Sequence, residues 1–258
     1  MPHDSADRTT MGETMAIDRH SIVDEIADRL LDRILSGAIK GGSALPPETE
    51  IAAEMNASRL TVREAIKVLQ AHNIVQVRRG IGTFANLPEQ WTSLDAIIRG
   101  VARGIGAEEI PLRLLEARQM VETGAAELAA TRHQAAHITA MQESIDLMVA
   151  RRDLEDVAAF TAADIAFHDA VLTASGNPFI PALLNSLAPL LYSTRRETSE
   201  IPQIRDHAID HHRRILAAIE SGDAELSRRT MTEHLAQTFD DYEHYLAVTP
   251  KSDRPSGD

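Results

Sequence analysis

Asp164 and His168 stand four residues apart in the segment Asp-Ile-Ala-Phe-His. In a helix that spacing puts both side chains on one face. His212 and His234 follow farther along the chain. Three imidazoles and one carboxylate suit a divalent metal, Zn first with Ni, Mn or Fe as alternatives, and leave positions for water or a ligand. Apolar neighbours, Ile165 and Val171 around His168 and Met231 and Leu235 around His234, direct these histidines towards a helical interior. The chain has 11 histidines, so surface or core filling is the competing reading, and His211 beside His212 leaves a one-residue ambiguity. Arg118 lies one helical turn before Glu122, so the two can pair on the same helix face.

A second constellation lies nearer the N-terminus. Arg59, Arg63, Lys67 and Gln70 form a polar stripe beside the apolar stripe Val62, Ile66 and Leu69. Arginine's planar fork fits guanine O6 and N7, Thr61 suits a phosphate or a thymine methyl, and Lys67 suits a phosphate. Arg78-Arg79-Gly80-Ile81-Gly82 then joins positive charge to bare backbone, which allows close approach to a phosphate or a minor groove. A solvated basic helix beside a charged turn would share these features; the order of elements argues against it.

The elements that position these groups are readable from periodicity and breaks. Residues 21–36 form a helix with Ile22, Ile26, Leu30 and Ile34 in one stripe, stopped at Gly37. Pro46-Pro47-Glu48 opens a short helix to about residue 55, and Ser58 caps a third over 59–72. Residues 74–78 and 83–85 read as a hairpin around the glycines. Helix, helix, helix, hairpin is a winged helix-turn-helix, whose last helix enters the major groove. After a linker and short helix over 87–109, containing the single Trp91, the chain turns helical. Helices are expected over 94–104, 111–131, 133–151, 154–174, 178–196, 201–221 and 223–248. The fold class is therefore mainly α: a winged domain over 17–86 and an all-α antiparallel bundle over 110–248. Residues 1–16 and 249–258 are polar and expected as disordered tails.

Charge is distributed unevenly. The net charge is -13, yet residues 17–86 balance 9 basic against 9 acidic side chains, and residues 87–258 carry 16 against 27. A locally basic reader joined to an acidic sensor has this pattern. The chain lacks cysteine, which excludes disulfides and thiolate metal sites. No signal-peptide core or run of about 18 apolar residues is apparent, so a cytoplasmic protein without a membrane span is expected.

The segments Leu45-Pro46-Pro47-Glu48-Thr49-Glu50-Ile51-Ala52, Ser58-Arg59-Leu60-Thr61-Val62-Arg63-Glu64-Ala65 and Arg79-Gly80-Ile81-Gly82-Thr83-Phe84 resemble the signature of the GntR family of regulators. The resemblance implies operator contacts by Arg59 and Arg63 and minor-groove entry by Gly80 and Gly82. Thr49 and Leu60 depart from the family's frequent Arg and Thr, which puts one backbone contact and the base preference in doubt. Residues 110–247 resemble the FCD domain of the FadR-type branch through Arg118, Glu122, Asp164, His168, His212 and His234. That resemblance implies a divalent metal on Asp164, His168, His212 and His234, and a carboxylate effector reaching the metal and Arg118. Residues 90–95 resemble the linker of members that sense sugar acids. Arg195 and Arg196 are read as solvated, with a place in the ligand pocket as the alternative. The expected protein is a homodimer on palindromic double-stranded operator DNA, a repressor controlled by a small carboxylate. A regulator whose effector is the metal itself is the alternative. A metal-dependent hydrolase ranks last, because no His-Glu-x-x-His base motif is present.

Overall fold

The computed structural model describes residues 21–152 and 156–247. The tails expected at 1–16 and 249–258, the start of the winged domain at 17–20, residue 154 and residue 248 lie outside the described residues. The chain forms two compact units that part between Ser93 and Leu94.

In the first unit, α1 (Ile22–Leu35) starts at Ser21, whose hydroxyl accepts from Asp24 N while the Asp24 carboxylate accepts from Ser21 N. This reciprocal pair satisfies donors that the first helical turn leaves free. Ile26, Leu30 and Ile34 are buried, whereas Ile22 in the opening turn is exposed. Pro46-Pro47 precedes α2 (Glu48–Glu54), and Ser58 caps α3 (Arg59–Ala71) by accepting from Thr61 N at 3.0 Å. Val62, Ala65, Ile66 and Leu69 form the inward face of α3, which packs on α1 and α2.

The hairpin pairs β1 (Val75–Arg78) with β2 (Gly82–Ala85), Val75 opposite Ala85 and Arg78 opposite Gly82. Gly80 has φ +73° and Gly82 φ +146°, a region costly for residues with a Cβ. The segment before α2, read in the sequence only as a break, also pairs with β2. Leu45 N donates to Thr83 O at 2.8 Å and Ala85 N to Ser43 O at 2.9 Å. This pairing occupies an otherwise bare strand edge. Beyond the hairpin, Asn73 Nδ2 donates to Gln90 O and Thr92 N to His72 O, so this stretch is tied to the end of α3. Trp91 is buried.

The second unit runs α4 (Leu94–Gly104), α5 (Ile110–Arg132), α6 (Ala135–Arg151), α7 (Val157–Ala174), α8 (Phe179–Asn185), α9 (Ala188–Ser199), α10 (Pro202–Ser221) and α11 (Ala224–Tyr242). The single helix expected over 178–196 is two. Pro189 is the second residue of α9, and its missing N–H and its ring prevent a helix from continuing through Ser186 and Leu187. The last helix also ends earlier than expected, giving way to a π-helical turn over Glu243–Ala247.

The long helix α5 packs against α7, α10 and α11, and α6 packs against α7 and α10. In its second half α5 buries Ala125, Ala126, Ala129 and Ala130, small side chains that let neighbouring helices approach closely. Phe167, Val171, Ile215, Ile219, Met231 and Leu235 fill the main core. Helix α7 is long and apolar enough by composition to cross a membrane, at mean hydropathy 1.3, a length of apolar chain that the sequence reading did not register. It also carries Asp164, His168 and Asp169, and it packs among α5, α6, α8 and α9 in the bundle.

Candidate metal centre and nucleic-acid interface

Three helices bring His168, His212 and His234 together: α7, α10 and α11. One ligand atom from each lies within 4.8 Å of the others, and all three residues are buried. The Nε2 atoms of His168 and His212 are 3.2 Å apart. Tetrahedral Zn–N bonds of about 2.0–2.1 Å place neighbouring ligand nitrogens about 3.3 Å apart, so this edge already has the spacing that a metal requires. The group contains His212 and not its neighbour His211.

The surroundings fix how these rings present themselves. His168 Nδ1 lies 2.6 Å from Glu122 Oε2, so a neutral ring donates there and turns its Nε2 lone pair inward. His212 stacks on Phe167 at 4.1 Å between centroids, and its Nδ1 faces the Met148 sulfur at 3.3 Å. Burial pushes His212 and His234 well below the ordinary imidazole pKa. Burial, reinforced by Arg195, also lowers His168 despite the opposing pull of Glu122. Neutral imidazoles in a dry pocket are the protonation state that metal binding requires.

Asp164 sits at the edge of this group. Its Oδ1 is 3.5 Å from His212 Nε2, while its Oδ2 accepts from Arg195 Nη1. Burial alone would raise its pKa, but the Arg195 guanidinium beside it outweighs burial and holds it well below the usual carboxylate range. The carboxylate is therefore ionised, close to the imidazoles and shared with a guanidinium. The reading of Arg195 as solvated is corrected: it is 8% exposed and pairs with Asp164 and, at 3.7 Å, with Glu122. A single helical turn of charge in the sequence does not reveal that α9 turns this arginine into the bundle. Arg196 is exposed, as read.

Arg118 forms the pair that its spacing allowed. Its Nε donates to Glu122 Oε1 at 2.7 Å, and the residue lines a cavity of about 50 Å³ together with Asp164, Arg195 and His234. Glu122 links Arg118, His168 and Arg195. Burial would raise its pKa, yet Arg118 and His168 hold it well below the usual range. A second cavity of about 250 Å³ lies on the far side of Glu122, His168 and Arg195, under α8 and α9.

The arrangement on the first unit is different in kind. Arg59, Arg63 and Lys67 are exposed along α3, and Arg79, Gly80 and Gly82 are exposed at the hairpin tip. Arg63 is held by Glu48 of α2, Nη2 to Oε2 at 2.8 Å and Nε to Oε2 at 3.2 Å. Lys67 pairs with Glu64 at 2.9 Å. Thr61 shares a hydroxyl contact with the capping Ser58 at 2.7 Å. The sequence reading did not single out Leu60 on α3 or Ile81 at the hairpin tip as contacts, yet these apolar side chains are 67% and 74% exposed. Exposed apolar groups among cations suit thymine methyls and groove walls better than bulk water.

The profile described as "Bacterial regulatory proteins, gntR family" matches residues 22–85, and the profile described as "FCD domain" matches residues 113–237. The chain belongs to the GntR family and carries an FCD domain. This GntR protein is 29% identical to the Uxu operon transcriptional regulator of Escherichia coli K12, over 82% of each chain. It is 27% identical to the galactonate operon transcriptional repressor of the same organism, over 83% of this chain and 94% of that one. A solved structure of Lar, described as controlling expression of the Listeria monocytogenes agr system, has the same fold. That match has a TM-score of 0.55 at 19% identity, over 87% of this chain and 98% of that one. The GntR protein is a DNA-binding transcription regulator; its relatives are regulators and not enzymes, which removes the hydrolase reading.

Proposed function

We propose that this GntR protein is a homodimeric, cytoplasmic repressor whose operator affinity is set by a small carboxylate bound beside a divalent metal in the second unit. The observation that carries the metal is the convergence of three buried neutral imidazoles, one of them oriented by Glu122. His168, His212 and His234 would hold the ion, with Asp164 as the fourth donor; Zn is the first choice for such a set. When bound, the metal supplies an electrophilic anchor for an oxygen ligand.

The charge balance argues for an anionic effector. Without metal the buried group opposes Arg118 and Arg195 to Glu122 and Asp164, two cations against two anions. A divalent ion would add two positive charges among buried side chains, and a carboxylate would offset part of them. Arg118 lines the cavity and presents a planar fork that fits a carboxylate. A relative named for galactonate supports a sugar acid within this class.

On DNA, Arg59 and Arg63 would read base edges, Thr61 and Lys67 would contact the backbone, and the tip with Arg79, Gly80 and Gly82 would enter the minor groove. Two such units in a symmetric dimer match a palindromic operator. Coupling between effector and operator of about 1–3 kcal/mol would change affinity about 5- to 150-fold.

One observation favours the second reading, in which the metal alone is the effector: the cavity beside it is only about 50 Å³. At roughly 10–15 Å³ per water-sized position, that is room for about four waters before any side chain moves. The deciding experiment is operator binding of metal-free and metal-loaded protein, titrated with organic and sugar acids. An acid that changes affinity only with metal bound supports the carboxylate sensor. A full response to metal alone supports the second reading, and no response to either rejects both.

A further inference from the structure

Three guanidinium groups line the cavity that reaches His234 and Asp164: Arg118, Arg195 and Arg205. Two of them have carboxylate partners, Glu122 for Arg118 and Asp164 with Glu122 for Arg195. Arg205, in the first turn of α10, has none among the described residues. It is 8% exposed; its Nη1 donates to the backbone carbonyl of Ser199 at 3.2 Å, and its Nε is buried without a partner.

Arginine stays charged under any condition in which the fold survives. A buried cation without a counter-ion is costly, because neither water nor an opposite charge replaces its lost hydration. The other polar groups nearby do not relieve it. Thr194 and Thr198 turn their hydroxyls to the carbonyls of Leu190 and Arg195, and the Arg205 Nε proton meets no acceptor among the described residues. Arg205 thus brings a free N–H and an uncompensated charge to the chamber where the carboxylate of the proposed effector would sit.

We propose that the effector is a dianion, a diacid whose first carboxylate is held at the metal and Arg118 and whose second is held by Arg205. The proposal rests on the carboxylate-sensor reading above and adds the number of charges on the ligand and the residue that counts them. A second carboxylate supplies the missing counter-ion and an acceptor for the Nε proton, and a monoacid of the same length supplies neither. The selection follows from the penalty for leaving a buried charge unpaired.

The test uses the metal-loaded full chain and matched pairs of acids: propanoate and malonate, butanoate and succinate, gluconate and glucarate. Binding is read by calorimetry and by thermal shift. At least one diacid is expected to bind roughly 10- to 100-fold tighter than its monoacid partner, as expected for a charge-assisted contact. In Arg205→Met that preference disappears while the metal content, read by elemental analysis, stays at the wild-type level. Arg205→Lys, which keeps the charge, retains a preference. Equal binding of monoacid and diacid to the wild-type protein overturns the proposal, as does a preference that survives in Arg205→Met. Should the methionine variant not fold, the wild-type pairs and Arg205→Lys decide. Binding of monoacids without preference for diacids rejects the dianion alone. Absence of binding by every acid rejects the carboxylate sensor as well.

Discussion

His168 and Glu122 are joined by a 2.6 Å contact between Nδ1 and Oε2, across helices α7 and α5. The contact fixes the ring so that its Nε2 meets Nε2 of His212. Outer partners of this kind orient metal-binding imidazoles and raise their basicity, and their loss typically weakens metal affinity about 10- to 100-fold. Glu122→Gln keeps the shape of the side chain and removes its charge. It is expected to lower Zn affinity within that range in chelator competition. An affinity equal to that of the wild type would show that Glu122 serves only as a partner for the two arginines.

The same burial sets the pH dependence of the metal-free protein. His168, His212 and His234 all have pKa values lowered in the folded state, below the unfolded value of about 6.5. Below about pH 6.5 the unfolded chain therefore binds protons that the folded chain refuses. Stability from this source is fully present above that pH and is lost as pH falls towards the folded values. With three such groups the limiting slope is about 4 kcal/mol per pH unit. Glu122 and Asp164, also lowered, add loss in the same direction only below about pH 4.5. Denaturant unfolding of the second unit between pH 7.5 and 5.5 is expected to show a steep fall without metal. A flat profile would mean that the histidines are protonated in the folded state.

Much of this site is legible in the sequence because helices convert spacing into direction. The four-residue interval from Asp164 to His168 places both on one face of α7, and the resemblance to FCD domains supplied the partners on α10 and α11. Arg195 was legible only as the less favoured alternative. It lies in a stretch, Thr-Arg-Arg-Glu-Thr, that reads as a solvated helix, and which of two adjacent arginines faces inward depends on how α9 packs, which the stretch itself does not state. The break before α9 is signalled by Pro189, and the residue pattern from 178 to 196 concealed it because apolar positions continue on both sides.

The winged unit was more fully legible, since caps and turns act locally. Ser21, Ser58 and the glycines at 80 and 82 stand where their chemistry requires. The pairing of residues 43–45 with β2 is nonlocal, and nothing in Ser43-Ala44-Leu45 announces it. The Arg63–Glu48 pair is of the same kind, joining residues 15 apart that meet only because α2 and α3 pack together.

That pair yields an expectation for DNA recognition. Arg63 and Glu48 are partly solvent-exposed, so their attraction adds little stability. Glu48 instead orients the guanidinium on the face of α3 that would enter the groove. Arg63→Ala should lose about 1–3 kcal/mol of operator binding, a loss of roughly 5- to 150-fold, with folding unchanged. Glu48→Gln should lower the ratio of operator to random-sequence affinity while leaving random-sequence affinity equal or higher, because a negative charge near phosphates is gone. Both ratios are read from competition gel shifts at fixed salt. An unaltered ratio in Glu48→Gln would show that Arg63 is oriented by the DNA rather than by the protein.

The cap on α3 connects stability to recognition. Ser58 Oγ accepts from Thr61 N at 3.0 Å and touches Thr61 Oγ1 at 2.7 Å, so it fixes the first turn, which carries Arg59 and Thr61 and leads into Arg63. Replacing such a cap with alanine typically costs about 0.5–2 kcal/mol. Ser58→Ala is therefore expected to lower the unfolding free energy of the winged unit by about that amount. Ser58→Asp, which also accepts from the helix N-terminus and suits its dipole, should restore most of the stability. Its added charge faces the phosphates, so operator affinity should recover less than stability does. Denaturant unfolding and gel shifts on the same preparations separate the two effects. Full recovery of operator affinity in Ser58→Asp would place Ser58 away from the phosphates and move the DNA contact to the C-terminal turns of α3.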